Sequence, residues 1–159
     1  VSRSTLPLQK KDFTHAAIIL AIQNIDDPRQ TFFNAARHLQ SGGKLLIVMN
    51  HPCFRIPRQS SWVVDEKNKT QYRRIDRYLS SQKIPITAHP SKKTSAVTWS
   101  FHEPLSAYTK MLHDSGFVIE VLDEWSSDKS SVGKASKMEN RSRQEIPLFL
   151  TILATLKKK

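Results

Sequence analysis

The sequence predicts an α/β domain built around a mostly parallel sheet. Three segments are apolar on both alternating faces, which is typical of strands covered by helices on both sides. A helix-like segment separates the first two of them, and a length of 159 residues suits one domain. The three strand segments are residues 16–22, 45–49 and 147–156.

A helix is predicted between the first two strands. Asp27 suits an N-cap, and Pro28 fits the first helical position. Gly42 or Gly43 is expected to end the helix. A strand, a helix and a strand in this order form a right-handed crossover. The apolar face of the helix consists of Phe32, Ala35, Ala36 and Leu39.

A second helix and a further strand are predicted near the carboxyl end. Pro104 lies near the start of this helix, and Gly116 ends it. Residues 117–125 then alternate like a strand. Residues 126–145 are rich in Ser and Lys and poor in apolar side chains, so we expect a loop that is mobile or shaped by a ligand.

Residues 51–103 fit none of these units. They contain short segments rich in aromatic and β-branched residues, separated by turn-like breaks, and predict a small antiparallel cap inserted after a core strand. Insertions at the carboxyl ends of strands in open α/β sheets are where ligands are bound. The predicted organisation is one domain, with core residues 1–50 and 104–159 on either side of the cap.

The composition limits the classes of function. A net charge of +11 with a pI near 10.0 raises nucleic acid as a possible partner. A single cysteine cannot form an internal disulfide, so a reducing, cytoplasmic setting is expected. The apolar runs are shorter than the roughly 18 residues that cross a bilayer, and no membrane segment is expected. The six histidines show no metal-ligand spacing, so no metal site is expected.

Four stretches, in this order, resemble the second half of a class I S-adenosylmethionine-dependent methyltransferase. The resemblance implies a Rossmann-like half-sheet with the family's strand order 4-5-7-6, flanking helices and an antiparallel β-rich cap. It also implies S-adenosylmethionine as the cofactor. The four stretches are "LPLQKKDFTHAAIILAIQNIDDP" at 6–28, "RHLQSGGKLLIV" at 37–48, "LHDSGFVIEVLDEW" at 112–125 and "EIPLFLTILATLKK" at 145–158.

The sequence departs from the family at its amino end. It has four glycines and no Gly-x-Gly turn, and Ser2 and Arg3 stand where the family often has Asp-Ala. We therefore expect a fragment or a truncated gene product that binds the cofactor weakly or incompletely. Strand 16–22, central in the family, would become an edge, so self-association through it is expected.

The resemblance assigns residues to the cofactor at the end of the first strand. Gln23 and Asn24 would lie beside the methionine end of the cofactor. The alternative is a strand-end turn that caps the next helix. The positions that the resemblance implies for cofactor binding are Leu6, Pro7, Ile22, Gln23 and Asn24.

The end of the second strand would face the methyl acceptor. His51 is the candidate general base, and Arg55 and Arg58 would pair with an acidic group on the acceptor. The alternatives are a histidine with satisfied hydrogen bonds and solvated arginines. Cys53 lacks the electropositive surroundings of a reactive thiolate, which disfavours a nucleophile. The other candidate acceptor contacts are Asn50, Phe54, Trp62 and His102, with Arg141 and Arg143 in a lid.

Two of these candidates have plain alternatives. His102 is equally well explained as a residue at a helix entry, and 139–147 as a charged solvated turn. The leading function is methylation of a small acceptor, acidic if the arginines bind it. The alternatives are a basic RNA-interacting domain, or a piece of an RNA methyltransferase, and an inactive scaffold. In "QYRRIDRYL", 71–79, alternation puts the arginines on both sides of a strand, which weakens the RNA reading.

Overall fold

The structure, a computed structural model, describes residues 8–87 and 97–157. These residues contain eight strands and three helices, and a short 3₁₀ turn, Ile22–Asn24, follows the first strand. The elements are β1 (Phe13–Ile19), α1 (Pro28–His38), β2 (Leu39–Asn50), β3 (Ser60–Asp65), β4 (Thr70–Ile75), β5 (Gln82–Thr87), β6 (Val97–His102), α2 (Leu105–Asp114), β7 (Phe117–Trp125), α3 (Ser136–Glu145) and β8 (Phe149–Leu156).

The central sheet has four strands in the order β1-β2-β8-β7. β1 and β2 are parallel, with Ala16 opposite Leu45, and β8 pairs antiparallel with both β2 and β7. This is the predicted half-sheet: the family's strands 4, 5, 7 and 6 correspond to β1, β2, β8 and β7. The parallel pairing of the first two strands is confirmed.

The cap consists of two antiparallel hairpins, as predicted. β3 pairs with β4, and β5 pairs with β6, and neither pair joins the central sheet. The hairpins lie in the chain between β2 and α2, so the cap follows the carboxyl end of β2.

Only one face of the central sheet carries helices in the described residues. Alternate residues of β2 and β8 are buried there, and they pack against Phe32 of α1 and against Tyr108 and Leu112 of α2. The opposite face remains partly exposed: Ile19 of β1 and Val121 of β7 are 61% and 47% exposed. The expectation of helices on both faces is therefore wrong for the described residues, because apolar alternation does not reveal what covers a face.

The predicted helix stop at Gly42 or Gly43 is also wrong. α1 ends at His38, and Leu39 is extended and buried at the start of β2. The pairing of β1 with β2 changes register between Phe13 and His15, so the two glycines lie in an irregular part of β2. A Cβ on Gly43 would come within 2.9 Å of the Gln40 carbonyl oxygen, so a larger residue would not fit this turn.

The expected loop at 126–145 contains a helix. α3 occupies its second half, although the segment is strongly polar. Its one buried residue, Ser142, donates a hydrogen bond to the Gln71 carbonyl of β4 at 3.0 Å. Contact with the cap thus stabilises a helix that the local pattern does not predict. No helix among the described residues has the length and apolar character needed to span a membrane.

An ion pair connects three strands on the open face. Lys44 of β2 contacts Glu120 of β7 at 2.7 Å, and both side chains bond to the hydroxyl of Thr155 on β8. The hydrogen bond from Lys44, followed by that from Thr155, holds the pKa of Glu120 below its usual value of 4.5. Ionised Glu120 therefore stabilises the fold above about pH 4.5, and this contribution is lost as the pH falls through its lowered pKa.

We expect Glu120→Gln to reduce the pH dependence of stability at acid pH. Urea unfolding of the wild type should show a steeper loss between about pH 6 and pH 3 than unfolding of the variant. Glu66→Gln, a change at an exposed carboxylate that makes no ion pair or hydrogen bond within the described residues, is the control and should follow the wild type. If the unfolding free energies of Glu120→Gln and the wild type changed with pH in the same way, the proposed stabilisation by this ion pair would be contradicted.

Candidate functional site

The candidate site lies at one edge of the central sheet. β1 and β2 are parallel, so their carboxyl ends meet at this edge. β8 begins there with Phe149 opposite Asn50, and β7 ends there with Trp125 opposite Phe149. The cap hairpins come after β2 in the chain, and the first of them follows its carboxyl end. This is the usual ligand-binding edge of open α/β sheets.

The chain leaves β1 through a strained residue. Leu20 has a φ of 51°, a conformation uncommon for a bulky side chain, while its N–H still donates to the Val48 carbonyl at 2.7 Å. The 3₁₀ turn follows, and Ile22 points into the core with 1% exposure. Strained backbone of this kind is concentrated at functional sites.

The side-chain amide of Gln23 bonds to the backbone of Asn50, at a position of β2 that β1 is too short to pair with. Its Oε1 accepts from the Asn50 N–H at 3.1 Å, and its Nε2 donates to the Asn50 carbonyl at 3.2 Å. Asn24 is exposed, and its side chain has no hydrogen bond within residues 8–87 and 97–157. Of the predicted cofactor positions, Asn24 is therefore the side chain available to a ligand. Leu6 and Pro7 lie outside the described residues.

His51 is buried, and both of its ring nitrogens are engaged. Its Nδ1 accepts from the Cys53 N–H at 3.2 Å, which leaves the proton on Nε2 to be donated to Glu124 at 2.6 Å. The ring also packs against Phe54, with centroids 4.8 Å apart. A role as general base stays a prediction, and it would require one of these two hydrogen bonds to break.

His102 is linked to His51 through two intervening residues. Its Nε2 donates to the Tyr78 carbonyl at 2.7 Å, and the Tyr78 hydroxyl contacts the Cys53 Sγ at 3.4 Å. That hydroxyl also accepts from the Leu105 N–H at 3.1 Å. Burial, then the bond with Cys53, raises the pKa of Tyr78. In the described part of the chain, no group of His, Cys, Asp and Glu residues is arranged to hold a metal ion.

An arginine pocket lies between the first hairpin and the start of β8. Its volume is about 680 Å³. The guanidinium of Arg55 lies over the Phe149 ring at 5.0 Å, and that of Arg73 over the Trp62 ring at 5.2 Å. Trp125 and the following residues to Lys129 complete the wall. We call this the arginine pocket; its main side chains are Arg55, Trp62, Arg73, Trp125 and Phe149.

Within the described part of the chain, the two arginines of the arginine pocket have no carboxylate close enough to balance their positive charges. Burial lowers the pKa of Arg55, and burial together with the charge of Arg55 lowers the pKa of Arg73. No carboxylate in the described residues lies within 4.0 Å of either guanidinium. The pocket therefore contains two partly desolvated cations without an anion between them.

The remaining predicted acceptor residues lie in different places. Arg58 is exposed at a φ of 61° and does not line the arginine pocket. Phe54 contributes its carbonyl, which accepts from Arg73 Nε at 2.8 Å. Arg143 bonds to Ser131 and to Glu139 within its own segment. Arg141 lines a separate cavity on α3.

Sequence reasoning missed Arg73, Trp125 and Phe149 as site residues. Alternation along β4 does put Arg73 on the less exposed side, opposite Trp62 in the hairpin register. That signal was available, but it did not show that this side faces the edge of the central sheet. The position of Phe149 depends on the antiparallel entry of β8, which only the sheet order reveals.

Comparison with known proteins agrees with the fold. The sequence matches no protein-family model and no curated protein. Among solved structures, it is similar to a protein assigned as an S-adenosylmethionine-dependent methyltransferase from Listeria monocytogenes, with 20% identity and a TM-score of 0.72 over 98% of this chain. One from Mesorhizobium loti gives 24% identity and a TM-score of 0.70 over 96% of this chain.

A third similar structure is the glycopeptide N-methyltransferase MtfA in complex with S-adenosylmethionine, at 19% identity and a TM-score of 0.53 over 96% of this chain. The chain spans 66%, 65% and 57% of the length of these three proteins. It has the class I methyltransferase fold over the part that it covers, with the strand order predicted from the sequence.

The hydrogen bonds of His51 predict a mainly structural contribution. His51→Ala should lower the free energy of unfolding by about 3 kcal/mol, because it leaves a cavity at a buried ring. Glu124→Gln should cost less than about 1 kcal/mol, since the carboxylate is half exposed and the amide oxygen can still accept. Urea unfolding measures both changes.

The exposed His113 provides the matched control for this comparison. His113→Ala should change the unfolding free energy by less than about 0.5 kcal/mol. If His51→Ala changed the unfolding free energy as little as this control, the packing and hydrogen bonds of His51 would not be stabilising this edge of the sheet.

Proposed function

We propose that this chain forms the acceptor-binding part of an S-adenosylmethionine-dependent methyltransferase that acts on a small molecule. The observation that carries the proposal is the position of the arginine pocket at the carboxyl edge of a parallel strand pair, next to the cap. In this proposal residues 51–103 are the acceptor cap, and Arg55 and Trp62 contact the acceptor. The similarity in fold to two solved methyltransferases, with TM-scores of 0.72 and 0.70, supports the assignment of the reaction class.

The described residues fit only part of the cofactor. Asn24 offers a free amide at the end of β1, but the Gln23 amide is already bonded to Asn50 and the Ile22 side chain is in the core. The four glycines, at 42, 43, 116 and 133, form no Gly-x-Gly turn of the kind that lets a backbone approach a cofactor closely. We therefore expect this chain alone to bind S-adenosylmethionine weakly or incompletely.

The residues of the chain can position an acceptor and exclude water from it. Methyl transfer depends mainly on such positioning, and it needs a base only when the acceptor must lose a proton. The aromatic side chains of the arginine pocket provide the apolar wall, and the two arginines provide donors. His51 contributes by fixing the end of β2 to β7 through Glu124.

Calorimetric titration with S-adenosylhomocysteine tests the cofactor position. We expect weak but saturable binding, and Asn24→Ala should remove it because Asn24 offers the free side chain at this edge. The matched control is Gln40→Ala, which removes an exposed amide at the amino end of β2 and should bind like the wild type.

Two results would contradict the proposed cofactor position. One is the absence of binding heat for the wild type at any accessible concentration. The other is equal binding by the wild type and by Asn24→Ala.

A basic groove on α3 supports RNA binding as a second candidate function. Its volume is about 840 Å³, and four cations and one carboxylate line it. Phosphate contacts in such a groove would make the affinity for RNA fall steeply with salt. The logarithm of the binding constant should fall by roughly one for each tenfold rise in salt concentration and each phosphate contact. A salt-independent or undetectable RNA affinity would exclude this candidate. The charged lining residues are Glu66, Lys69, Lys134, Lys137 and Arg141.

Self-association through β1 is a further part of the proposal. β1 is an edge of the sheet formed by the described residues, and Ile19 and Leu20 at its end are exposed. Unpaired backbone groups and exposed apolar side chains favour pairing with another strand. Sedimentation velocity across a wide concentration range checks it, and a mass that stays at 18.2 kDa would contradict it.

A further inference from the structure

Arg55 has no polar partner in the described part of the chain. Its guanidinium carbon lies over the Phe149 ring, 5.0 Å from the centroid, and the side chain makes neither a hydrogen bond nor an ion pair within residues 8–87 and 97–157. Its five N–H donors are therefore available to a ligand. The contact with the aromatic ring uses none of these donors.

Arg73 is held in place by neutral groups. Its Nε donates to the Phe54 carbonyl and its Nη2 to the Ser60 hydroxyl, each at 2.8 Å. Its Nη1 has no hydrogen bond among the described residues, so this nitrogen remains free to bind a ligand. The contacts hold Arg73 in a fixed position near Arg55, whose charge acts on it.

Two like charges held together in a partly desolvated pocket oppose folding unless an anion joins them. Burial of an unpaired charge is unfavourable, and charge-assisted hydrogen bonds are roughly twice as strong as neutral ones. A bound oxyanion would accept from Arg55 in a bidentate arrangement and from the free Nη1 of Arg73. The cost of holding both cations in this position would then be offset by ligand binding.

The walls of the pocket indicate what carries the oxyanion. Trp62, Trp125 and Phe149 line the space around the two guanidiniums. Flat aromatic surfaces favour stacking with another planar group. Asp128 and Lys129 also line the pocket, so its charged lining is three cations and one carboxylate, which still favours an anion.

We propose that the arginine pocket is a binding site for a planar aromatic ligand that carries a carboxylate or a phosphate, with Arg55 as its bidentate anchor. The inference rests on the proposed function, because it names the class of acceptor that the methyltransferase would take. The basic groove on α3 differs: its lysines and Arg141 are exposed, and no aromatic residue lines it, so it offers no comparable site for an aromatic acid.

The test measures binding of four small probes to the full chain without cofactor. Benzoate and phenyl phosphate carry the proposed group, benzamide is the neutral analogue of benzoate, and acetate lacks the ring. Binding is followed by ligand-observed NMR titration. At least one of the two aromatic anions should bind about tenfold more tightly than benzamide and than acetate. The tighter of the two anions distinguishes a carboxylate from a phosphate ligand.

Variants at two arginines make the assignment specific. Arg55→Gln should weaken binding of the aromatic anion by at least about tenfold while leaving benzamide unchanged. Arg55→Lys keeps the charge but loses the planar fork, so it should recover only part of the affinity. Arg58→Gln makes the same charge change at an exposed position outside the pocket and should bind like the wild type.

The variants are expected to fold, because Arg55 makes no hydrogen bond that the described fold depends on. Urea unfolding should therefore show Arg55→Gln to be at least as stable as the wild type, since the change also removes the repulsion between Arg55 and Arg73. Equal affinity for benzoate, phenyl phosphate and benzamide would overturn the inference. Unchanged anion binding by Arg55→Gln, with wild-type stability, would also overturn it.

The two proposals can fail separately. If the aromatic anion binds but S-adenosylhomocysteine does not, the anion site stands and the methyltransferase assignment fails. If S-adenosylhomocysteine binds but the anions do not, the assignment of the fold's function stands and the arginine pocket is not the acceptor site.

Discussion

The backbone of Asn50, where β1 and β2 part, determines the geometry of the whole edge. β1 ends at Ile19, and beyond that residue the backbone groups of β2 would have no partner on that side. The Gln23 amide bonds to both the N–H and the carbonyl of Asn50 and thereby completes the ladder. Because this satisfied backbone allows β1 to turn away, Asn24 becomes exposed and the end of β2 is free to lead into the cap.

Polar contacts attach the cap to this edge of the sheet. Arg73 joins the first hairpin to the Phe54 carbonyl behind β2, and Tyr78 joins Cys53 to the start of α2 through the Leu105 N–H. Buried polar groups that are fully paired specify one arrangement more strictly than apolar packing does. This explains how two short hairpins, neither of which pairs with the central sheet, can hold aromatic and charged side chains in a fixed arrangement.

The two guanidiniums of the arginine pocket differ from these groups because neither has a carboxylate within 4.0 Å among the described residues. On the open face, by contrast, Lys44 and Glu120 form an ion pair. A protein tolerates an unpaired and partly desolvated charge where binding offsets its cost. The same reasoning applies to Leu20. Its unfavourable φ lies at the same edge of the sheet, where the chain leaves β1, and such strain is concentrated at functional sites.

The sequence by itself determined the central sheet and its parallel pair, because apolar periodicity, the N-cap Asp27 and the stop at Gly116 are local signals that burial reinforces. It also predicted Arg55 and Trp62 as neighbours of a ligand. It could not determine α3, whose polar residues become helical through contact with β4, or the end of α1, where Leu39 joins the sheet instead of the helix. Only the tertiary structure brought Arg73 and Phe149 to Arg55, because pairing between strands distant in sequence leaves no local pattern to read.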